Sequence, residues 1–231
     1  MQENLVINPP EPVLVPVIGG GMFPVRRVYC VGRNYAAHAI EMGGDTRDAP
    51  FFFQKPASAI VLNGSEIPYP VITSDYHHEI ELVLAIGRGG DNILTEQAGQ
   101  YVYGLAVGLD MTRRDRQAEA KKAGHPWEIA KAFDLSAPIS EITPLRGELP
   151  RSGSIALRVN DKLRQQADLA DLVWNCAEVV ATLSTHYRLE PGDLIYTGTP
   201  AGVGPVEIGD RLVGSVEGLH DLHIQIVDPE E

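Results

Sequence analysis

Hydrophobic and polar residues are arranged in many short blocks along this chain, as is typical of a strand-rich protein. Strands are predicted at residues 25–32 (VRRVYCVG), 51–56 (FFFQKP), 58–64 (SAIVLNG), 79–87 (EIELVLAIG) and 101–112 (YVYGLAVGLDMT). The 17 prolines and 23 glycines are spread between such blocks, and both residue types favour turns. The pattern therefore predicts a β-rich α+β fold.

Three segments show helical patterns instead. Residues 34–42 predict a short helix with Asn34 as its cap. The charged residues 112–124 predict a second helix, largely exposed on one side. Residues 169–188 have apolar side chains three and four apart, the clearest helical spacing in the chain.

Turn residues organise the remainder of the chain. Residues 155–164 alternate apolar and polar side chains around Asn160 and Asp161, which predicts a β-hairpin. Two antiparallel strands are predicted after the glycine-rich loop YTGTPAGVG. Residues 1–24 are rich in proline and glycine and predict an extended arm with a turn at Gly19–Gly21. Because the sequence contains no internal repeat and no linker that would divide it, residues 25–231 are predicted to form a single domain.

Composition and charge narrow the functional class. Hydrophobic residues make up 44% of the 231 residues and the net charge is −12, which argues against nucleic acid or an anionic membrane as a partner. No apolar run approaches the roughly 20 residues that cross a bilayer. The N-terminus lacks the pattern of an export signal, and the two cysteines, Cys30 and Cys176, fit a reducing compartment. We therefore expect a cytoplasmic protein without a disulfide.

Three acidic residues lie in or beside apolar strands. Glu79 and Glu81 are two apart, so both carboxylates leave the same face of a strand. Asp110 ends the next predicted strand and can join them if the two strands are neighbours. Three carboxylates with open positions favour Mg²⁺ or Mn²⁺. The alternatives are a solvent-facing glutamate with Asp110 in a turn, or a zinc site using His77 and His78, although tetrahedral zinc spacing is missing.

Other polar residues have a possible chemical role. His38 and Glu41 are three apart on the short predicted helix, so Glu41 could orient His38 as a general base. Lys131 lies among apolar residues, where a half-buried ammonium needs a partner or an anionic ligand. Arg113 and Arg114 could hold a substrate carboxylate. A surface His–Glu pair and a snorkelling lysine remain the alternatives.

Six motifs resemble the fumarylacetoacetate hydrolase family over nearly the whole chain, from about Val25 to Ile226. They are, in order, VGRNYAAHAIEMG, PFFFQKP, HHEIELVLAIG, GLDMTRRDRQ, KAFD and DLIYTGTPAGVGP. The resemblance implies a mixed β-roll, usually assembled as a homodimer. It implies a site made of the metal ligands Glu79, Glu81 and Asp110, the water-activating dyad His38 and Glu41, the lysine Lys131, and the pocket residues Arg33, Gln54, Lys55, Arg114, Gln117 and Thr199.

The longer motif forms are most similar to the bacterial acylpyruvases and fumarylpyruvate hydrolases of this family. This implies an anionic 2,4-dioxo acid as substrate, most simply fumarylpyruvate cleaved to fumarate and pyruvate in aromatic catabolism by the gentisate route. Arg113, Arg114 and Lys122 are the candidates for the distal carboxylate, and the sequence does not choose between them. The alternatives are an oxaloacetate decarboxylase, a hydroxy-dienedioate isomerase or decarboxylase, and a noncatalytic metal- or carboxylate-binding protein.

Overall fold

The computed structural model describes residues 6–35 and 49–229, which form eighteen strands and three α-helices. The helices are α1 Arg114–Ala123, α2 Glu128–Lys131 and α3 Cys176–His186. The strands are β1 Val13–Pro16, β2 Met22–Val25, β3 Arg27–Gly32, β4 Phe51–Lys55, β5 Ile60–Leu62, β6 Glu66–Pro68, β7 Tyr76–His78, β8 Ile80–Ile86, β9 Val102–Leu109, β10 Thr112–Arg113, β11 Ala137–Ile139, β12 Thr143–Pro144, β13 Ser154–Val159, β14 Lys162–Asp168, β15 Asp193–Tyr196, β16 Gly204–Pro205, β17 Arg211–Val216 and β18 Leu222–Val227.

An eight-stranded mixed sheet forms the centre of the molecule. Its order is β4-β3-β15-β8-β9-β11-β5, with β12 also paired to β9. All seven residues of β8 are buried, because Leu82 and Leu84 pack on one face while Val83 and Ala85 pack on the other. Both faces of the central sheet are therefore covered, which explains the unbroken apolar run in the sequence.

A five-stranded sheet covers one of these faces, in the order β14-β13-β17-β18-β6. The two sheets approach closely at Gly214, where a Cβ atom would lie 2.6 Å from Ile80 Cδ1. Helix α3 adds Val179, Val180 and Leu183 to the same core. The predicted strand-rich fold with few helices is confirmed.

An N-terminal hairpin covers the opposite face of the central sheet. Strands β1 and β2 pair antiparallel, and their turn contains Gly19–Gly21, all with positive φ. Val15 and Phe23 from this hairpin are buried in one cluster with Val83 of β8. The predicted turn is confirmed, and the segment that was expected to be an extended arm instead pairs with itself and joins the core.

The structure refines several predicted elements. Helix α1 and the hairpin turn at Asn160 and Asp161 are confirmed, the latter with φ values of 49° and 62°. The helix predicted at residues 169–188 is shorter, because Asn175 forms a capping box with Glu178 and starts α3 at the next residue. Residues 169–171 form a separate 3-10 turn.

Two further predictions concern the start of the first helix and the cysteines. The Asn34 side chain, expected as a helix cap, donates to Trp174 O and Thr197 O, and residues 36–42 lie outside the described part. Cys30 and Cys176 are buried free thiols, as predicted. Within residues 6–35 and 49–229, no helix is both long and apolar enough to cross a membrane.

Candidate active site

Strands β8 and β9 bring the three predicted carboxylates together. The strands pair antiparallel with Ile80 opposite Leu109, so Glu79 before β8 lies beside Asp110 after β9, and Asp110 N donates to Glu79 O over 2.9 Å. One ligand atom each from Glu79, Glu81 and Asp110 lies within 4.8 Å of the others. All three residues are at most 5% exposed. The three carboxylates therefore form one buried group, as their spacing in the sequence predicted.

Two lysines hold this cluster from the side of α2 and β4. Lys131 Nζ lies 2.9 Å from Glu79 Oε2, 2.6 Å from Asp110 Oδ2 and 2.6 Å from Thr112 Oγ1. Lys55 Nζ lies 2.8 Å from Asp110 Oδ1 and donates to the carbonyl oxygens of Met111 and Lys131. Burial lowers the pKa of Lys131, but Asp110 and Glu79 outweigh it, so the pKa is raised and the ammonium is retained.

Glu81 has no such partner in the described part of the chain. Its Oε2 accepts the Gly198 N–H over 2.7 Å, and no described cationic side chain lies within ion-pair distance of it. Burial, followed by the charges of Asp110 and Glu79, raises the pKa of Glu81 well above its ordinary value. Burial therefore disfavours the ionised form of Glu81, and a further cation beside it would favour that form.

The carboxylate oxygens of Glu79, Glu81 and Asp110 are suited to binding a divalent cation. Asp110 Oδ1 is buried and makes no hydrogen bond with a described residue, although Lys55 is close enough for a charge interaction. Among the described residues, Glu81 has no cationic side chain within ion-pair distance, and the three carboxylates supply the hard oxygens that Mg²⁺ and Mn²⁺ prefer. Glu79, Glu81 and Asp110 would hold such an ion.

The loop after β15 closes the site beside Glu81. Gly198 has φ 101°, and a Cβ there would lie 2.6 Å from Asn34 Cβ, so only glycine presents its N–H to Glu81 without strain. Thr197 Oγ1 donates to Leu82 O over 2.8 Å and anchors the loop. Thr199 lines the cleft and accepts from Gln165 Nε2 over 2.8 Å.

Helix α1 lines the adjoining cleft with one face. Arg114 Nη2 lies 2.5 Å from Glu79 Oε1, and Arg114 Nη1 donates to Gln117 Oε1 over 2.6 Å. Lys121, one turn further, also lines the cleft. Residues three and four apart share a helix face, so the spacing of Arg114, Gln117 and Lys121 could have revealed Lys121 from the sequence.

Aromatic residues form the wall of the cleft between the carboxylates and Lys121. Phe51 and Phe53 of β4 pack against Trp127, with ring centroids 5.3 and 6.1 Å apart. Gly32 leaves room for Phe51, because a Cβ there would lie 2.0 Å from Phe51 Cζ. Arg33 follows with φ 58°, and its guanidinium lies 6.0 Å from the Phe51 ring centre. This aromatic wall was not predicted, since its strand and loop are distant in sequence.

Comparison with known proteins matches this fold and site. The family model described as fumarylacetoacetate (FAA) hydrolase C-terminal matches residues 27–227. The chain belongs to the fumarylacetoacetate hydrolase family. The match confirms the family, the fold type and the enzyme class predicted from the sequence.

Individual members of the fumarylacetoacetate hydrolase family are similar over most of their length. A fumarylpyruvate hydrolase from Ralstonia sp is 46% identical over 176 residues, covering 76% of this chain and 92% of that protein. A mitochondrial oxaloacetate tautomerase from Pongo abelii is 38% identical over 207 residues, covering 89% and 93%. The crystal structure of fumarylpyruvate hydrolase from Pseudomonas aeruginosa in complex with Mn²⁺ and pyruvate has a TM-score of 0.94 and 52% identity, covering 97% of this chain and 100% of that one.

Several residues named from the sequence lie away from this family site. Gln54 is exposed. Because successive side chains of a strand point to opposite faces, it faces away from Lys55, the next residue of β4. Arg113 stacks on Phe133 at 3.9 Å and donates to Ile129 O. Lys122 is exposed and does not line the cleft.

The two histidines before Glu79 have partners outside the carboxylate cluster. His78 Nδ1 lies 2.9 Å from Gln165 Oε1, and burial lowers the pKa of His78 to about 4. His77 Nε2 lies 2.7 Å from Asp75 Oδ1. Among the described residues the potential metal ligands that group together are the three carboxylates alone, which argues against the zinc alternative. The predicted dyad of His38 and Glu41 lies outside the described residues.

Proposed function

We propose that this enzyme is a metal-dependent hydrolase that cleaves the carbon–carbon bond of an acylpyruvate, with fumarylpyruvate as the first candidate. The observation that carries this proposal is the buried carboxylate cluster of Glu79, Glu81 and Asp110 at the end of a cation-lined cleft, with Lys131 bridging Glu79 and Asp110. The similarity to the fumarylpyruvate hydrolases of Ralstonia sp and Pseudomonas aeruginosa supports the choice of substrate.

The three carboxylates hold Mg²⁺ or Mn²⁺ in this proposal. When bound, the ion supplies a Lewis acid that neutralises negative charge developing on the substrate. Lys131 places an ammonium beside the same carboxylates, where it stabilises the enolate oxygen of the leaving pyruvate. Arg114, fixed by Glu79 and Gln117, is positioned to hold the pyruvoyl carboxylate together with Thr199.

The hydrolytic water needs a general base, and we assign His38 to this role with Glu41 as its orienting partner. His38 takes a proton from water as the hydroxyl oxygen attacks the 4-oxo carbon. The C3–C4 bond then breaks, its electron pair forms the pyruvate enolate, and a proton added at C3 completes pyruvate while the acyl group leaves as the acid. The assignment is supported by the family motif VGRNYAAHAIEMG.

A second candidate is enolisation or decarboxylation of oxaloacetate at the same site. The similarity to the oxaloacetate tautomerase of Pongo abelii favours this candidate. Enolisation and decarboxylation both need stabilisation of an enolate, which the site can supply, but neither needs a hydrolytic water. A third candidate reaction is isomerisation of a hydroxy-dienedioate, which also needs stabilisation of an enolate.

The test is a comparison of substrates with defined metals. Loss of enol absorbance is followed for fumarylpyruvate, acetylpyruvate and oxaloacetate, each with Mg²⁺, Mn²⁺ or chelator, while the products are quantified. We expect metal-dependent formation of equal amounts of fumarate and pyruvate. Oxaloacetate as the sole fast substrate would favour the second candidate, and full activity in chelator would exclude the metal assignment.

The proposed general base has its own test. We expect His38→Ala to lower kcat by about 10²- to 10⁴-fold, with Mn²⁺ affinity near that of the wild type. Both quantities are measured on the same preparation, by steady-state kinetics and by calorimetric titration. An unchanged kcat would remove His38 from the mechanism.

We also propose that the enzyme is a cytoplasmic homodimer in which residues 25–231 form the catalytic domain. Support comes from the family resemblance and from the acidic, two-cysteine composition. Light scattering coupled to size-exclusion chromatography measures the mass directly, and the mass of a single chain would contradict the dimer.

A further inference from the structure

Lys121 lies at the end of the aromatic wall that begins at the carboxylate cluster. Lys131 Nζ is 5.2 Å from the Phe53 ring centre, Phe53 is 6.1 Å from Trp127, and Lys121 Nζ is 5.0 Å from the Trp127 ring centre. The cleft therefore runs from buried acids, past an apolar wall, to an ammonium.

This ammonium is uncommitted in the part of the chain that the structure describes. Lys121 Nζ has the Trp127 ring as its contact, and no described carboxylate lies within ion-pair distance of it. Burial, together with the charges of Arg114 and Arg33, lowers the pKa of Lys121 to about 8. A half-buried cation among other cations favours an anionic ligand.

The neighbouring cations are less suited to this end of the cleft. Arg114 is already bound to Glu79 at the acidic end. Arg113 packs on Phe133 outside the cleft. Lys122 follows Lys121 directly, which places it about 100° around the helix, and it is exposed. Arg116, the remaining cation of α1, is paired with Glu119. Among the described cations of this helix, Lys121 thus lines the cleft without a carboxylate partner.

We propose that Lys121 is a specificity-determining residue that binds the distal carboxylate of a dicarboxylic substrate, while Phe51, Phe53 and Trp127 contact the apolar middle of the chain. The inference rests on the proposed function and adds that a diacid is preferred to an acylpyruvate with an uncharged tail. It replaces Arg113 and Lys122 as candidates for this contact.

The test uses two non-cleavable 2-oxo acids of equal length. 2-Oxoheptanedioate has a carboxylate at each end, as fumarylpyruvate does, whereas 2-oxoheptanoate ends in a methyl group, and neither has the 4-oxo carbon. Binding of each is measured by calorimetry with Mn²⁺ present, for the wild type and for the variants Lys121→Met, Lys121→Arg and Lys122→Met. The last is the matched control, one residue away on the exposed side of α1.

We expect Lys121→Met to weaken 2-oxoheptanedioate binding by about tenfold, the range of a charge-assisted contact, and 2-oxoheptanoate binding by at most about twofold. Lys121→Arg should retain most of the diacid preference, and Lys122→Met should leave both affinities unchanged. Equal weakening of both acids, or an unchanged diacid affinity, would overturn the assignment of Lys121.

Failure of the proposed function gives a different result. If the wild type binds the diacid in a Lys121-dependent way but does not cleave fumarylpyruvate, the reaction is wrong and the binding site stands. If the wild type binds neither acid, the proposed site is wrong and Lys121 loses its role with it.

Discussion

At the acidic end of the cleft, strands β8 and β9 fix three buried carboxylates that are surrounded by Lys55, Lys131 and backbone donors. At the cationic end, Lys121 of α1 and Arg33 after β3 line the cleft, and each lies against an aromatic ring of its wall. The first end is held by several mutually dependent contacts, whereas the contact of Lys121 at the second end, among the described residues, is the Trp127 ring. Changes at the acidic end should therefore affect metal binding and stability together, and changes at the cationic end should affect substrate choice alone.

The largest effect is expected from Glu81→Gln. Loss of one of three ligands should lower Mn²⁺ affinity by more than about 100-fold, because loss of a group that only hydrogen-bonds to a ligand already lowers affinity by about 10- to 100-fold. Metal-dependent turnover should be abolished. Calorimetric Mn²⁺ titration and steady-state assays measure this. Glu119→Gln, on the exposed side of α1, is the control, and retained Mn²⁺ affinity in Glu81→Gln would contradict the ligand assignment.

The same variant should change the pH dependence of stability in metal-free protein. The pKa of Glu81 is raised above its ordinary value of 4.5, so the folded state binds this proton more tightly than the unfolded chain does. Stability from this group is present below pH 4.5 and is lost as pH rises through the folded pKa. Glu81→Gln should remove that loss and make the metal-free protein more stable at pH 7, as measured by urea unfolding.

Lys131→Met is expected to have the next largest effect. The variant removes an ammonium that balances the buried negative charges of Glu79 and Asp110. Removing one partner of a buried ion pair lowers the free energy of unfolding by about 3–5 kcal/mol. We expect a lower unfolding free energy without metal, partly restored by saturating Mn²⁺, and a kcat reduced by about 10²- to 10³-fold. A normal kcat would show that Lys131 is structural alone.

Trp127→Leu examines the boundary between the two ends. The variant loses ring contacts to Phe51 and Phe53, each of which contributes about 0.5–1.5 kcal/mol. We expect KM for fumarylpyruvate to rise severalfold while KM for the shorter oxaloacetate changes little. An equal rise for both substrates would mean that the wall supports the acidic end rather than the substrate chain.

The smallest effect is expected from pH at the cationic end. The pKa of Lys121 is lowered to about 8, so its charge is present below that pH and is lost above it. KM for fumarylpyruvate should rise above pH 8 more steeply than KM for acetylpyruvate. Lys121→Arg should remove this difference, because a guanidinium stays charged in that range. Parallel pH profiles in the wild type would contradict the contact.

Local patterns in the sequence were sufficient to predict that the three carboxylates of the acidic end lie together. Two acids separated by one residue in a strand share a face, and Asp110 at the end of the next apolar run needed only hairpin-like pairing of neighbouring strands to join them. The i, i+3, i+7 spacing of Arg114, Gln117 and Lys121 also indicates, from the sequence alone, that the three side chains share one helix face. The helix predicted from residue 169 began later because a capping interaction at Asn175 outweighed apolar spacing.

The sequence by itself determined the strand-rich class, the buried character of β8 and the set of acids able to hold a metal, because each depends on side-chain periodicity and local chemistry. Only the tertiary structure decided that Phe51, Phe53 and Trp127 form one wall and that the Lys55 ammonium lies beside Asp110. These facts depend on contacts between segments far apart in the chain. Periodicity gives the face on which a side chain lies, whereas packing between distant elements decides what that face meets.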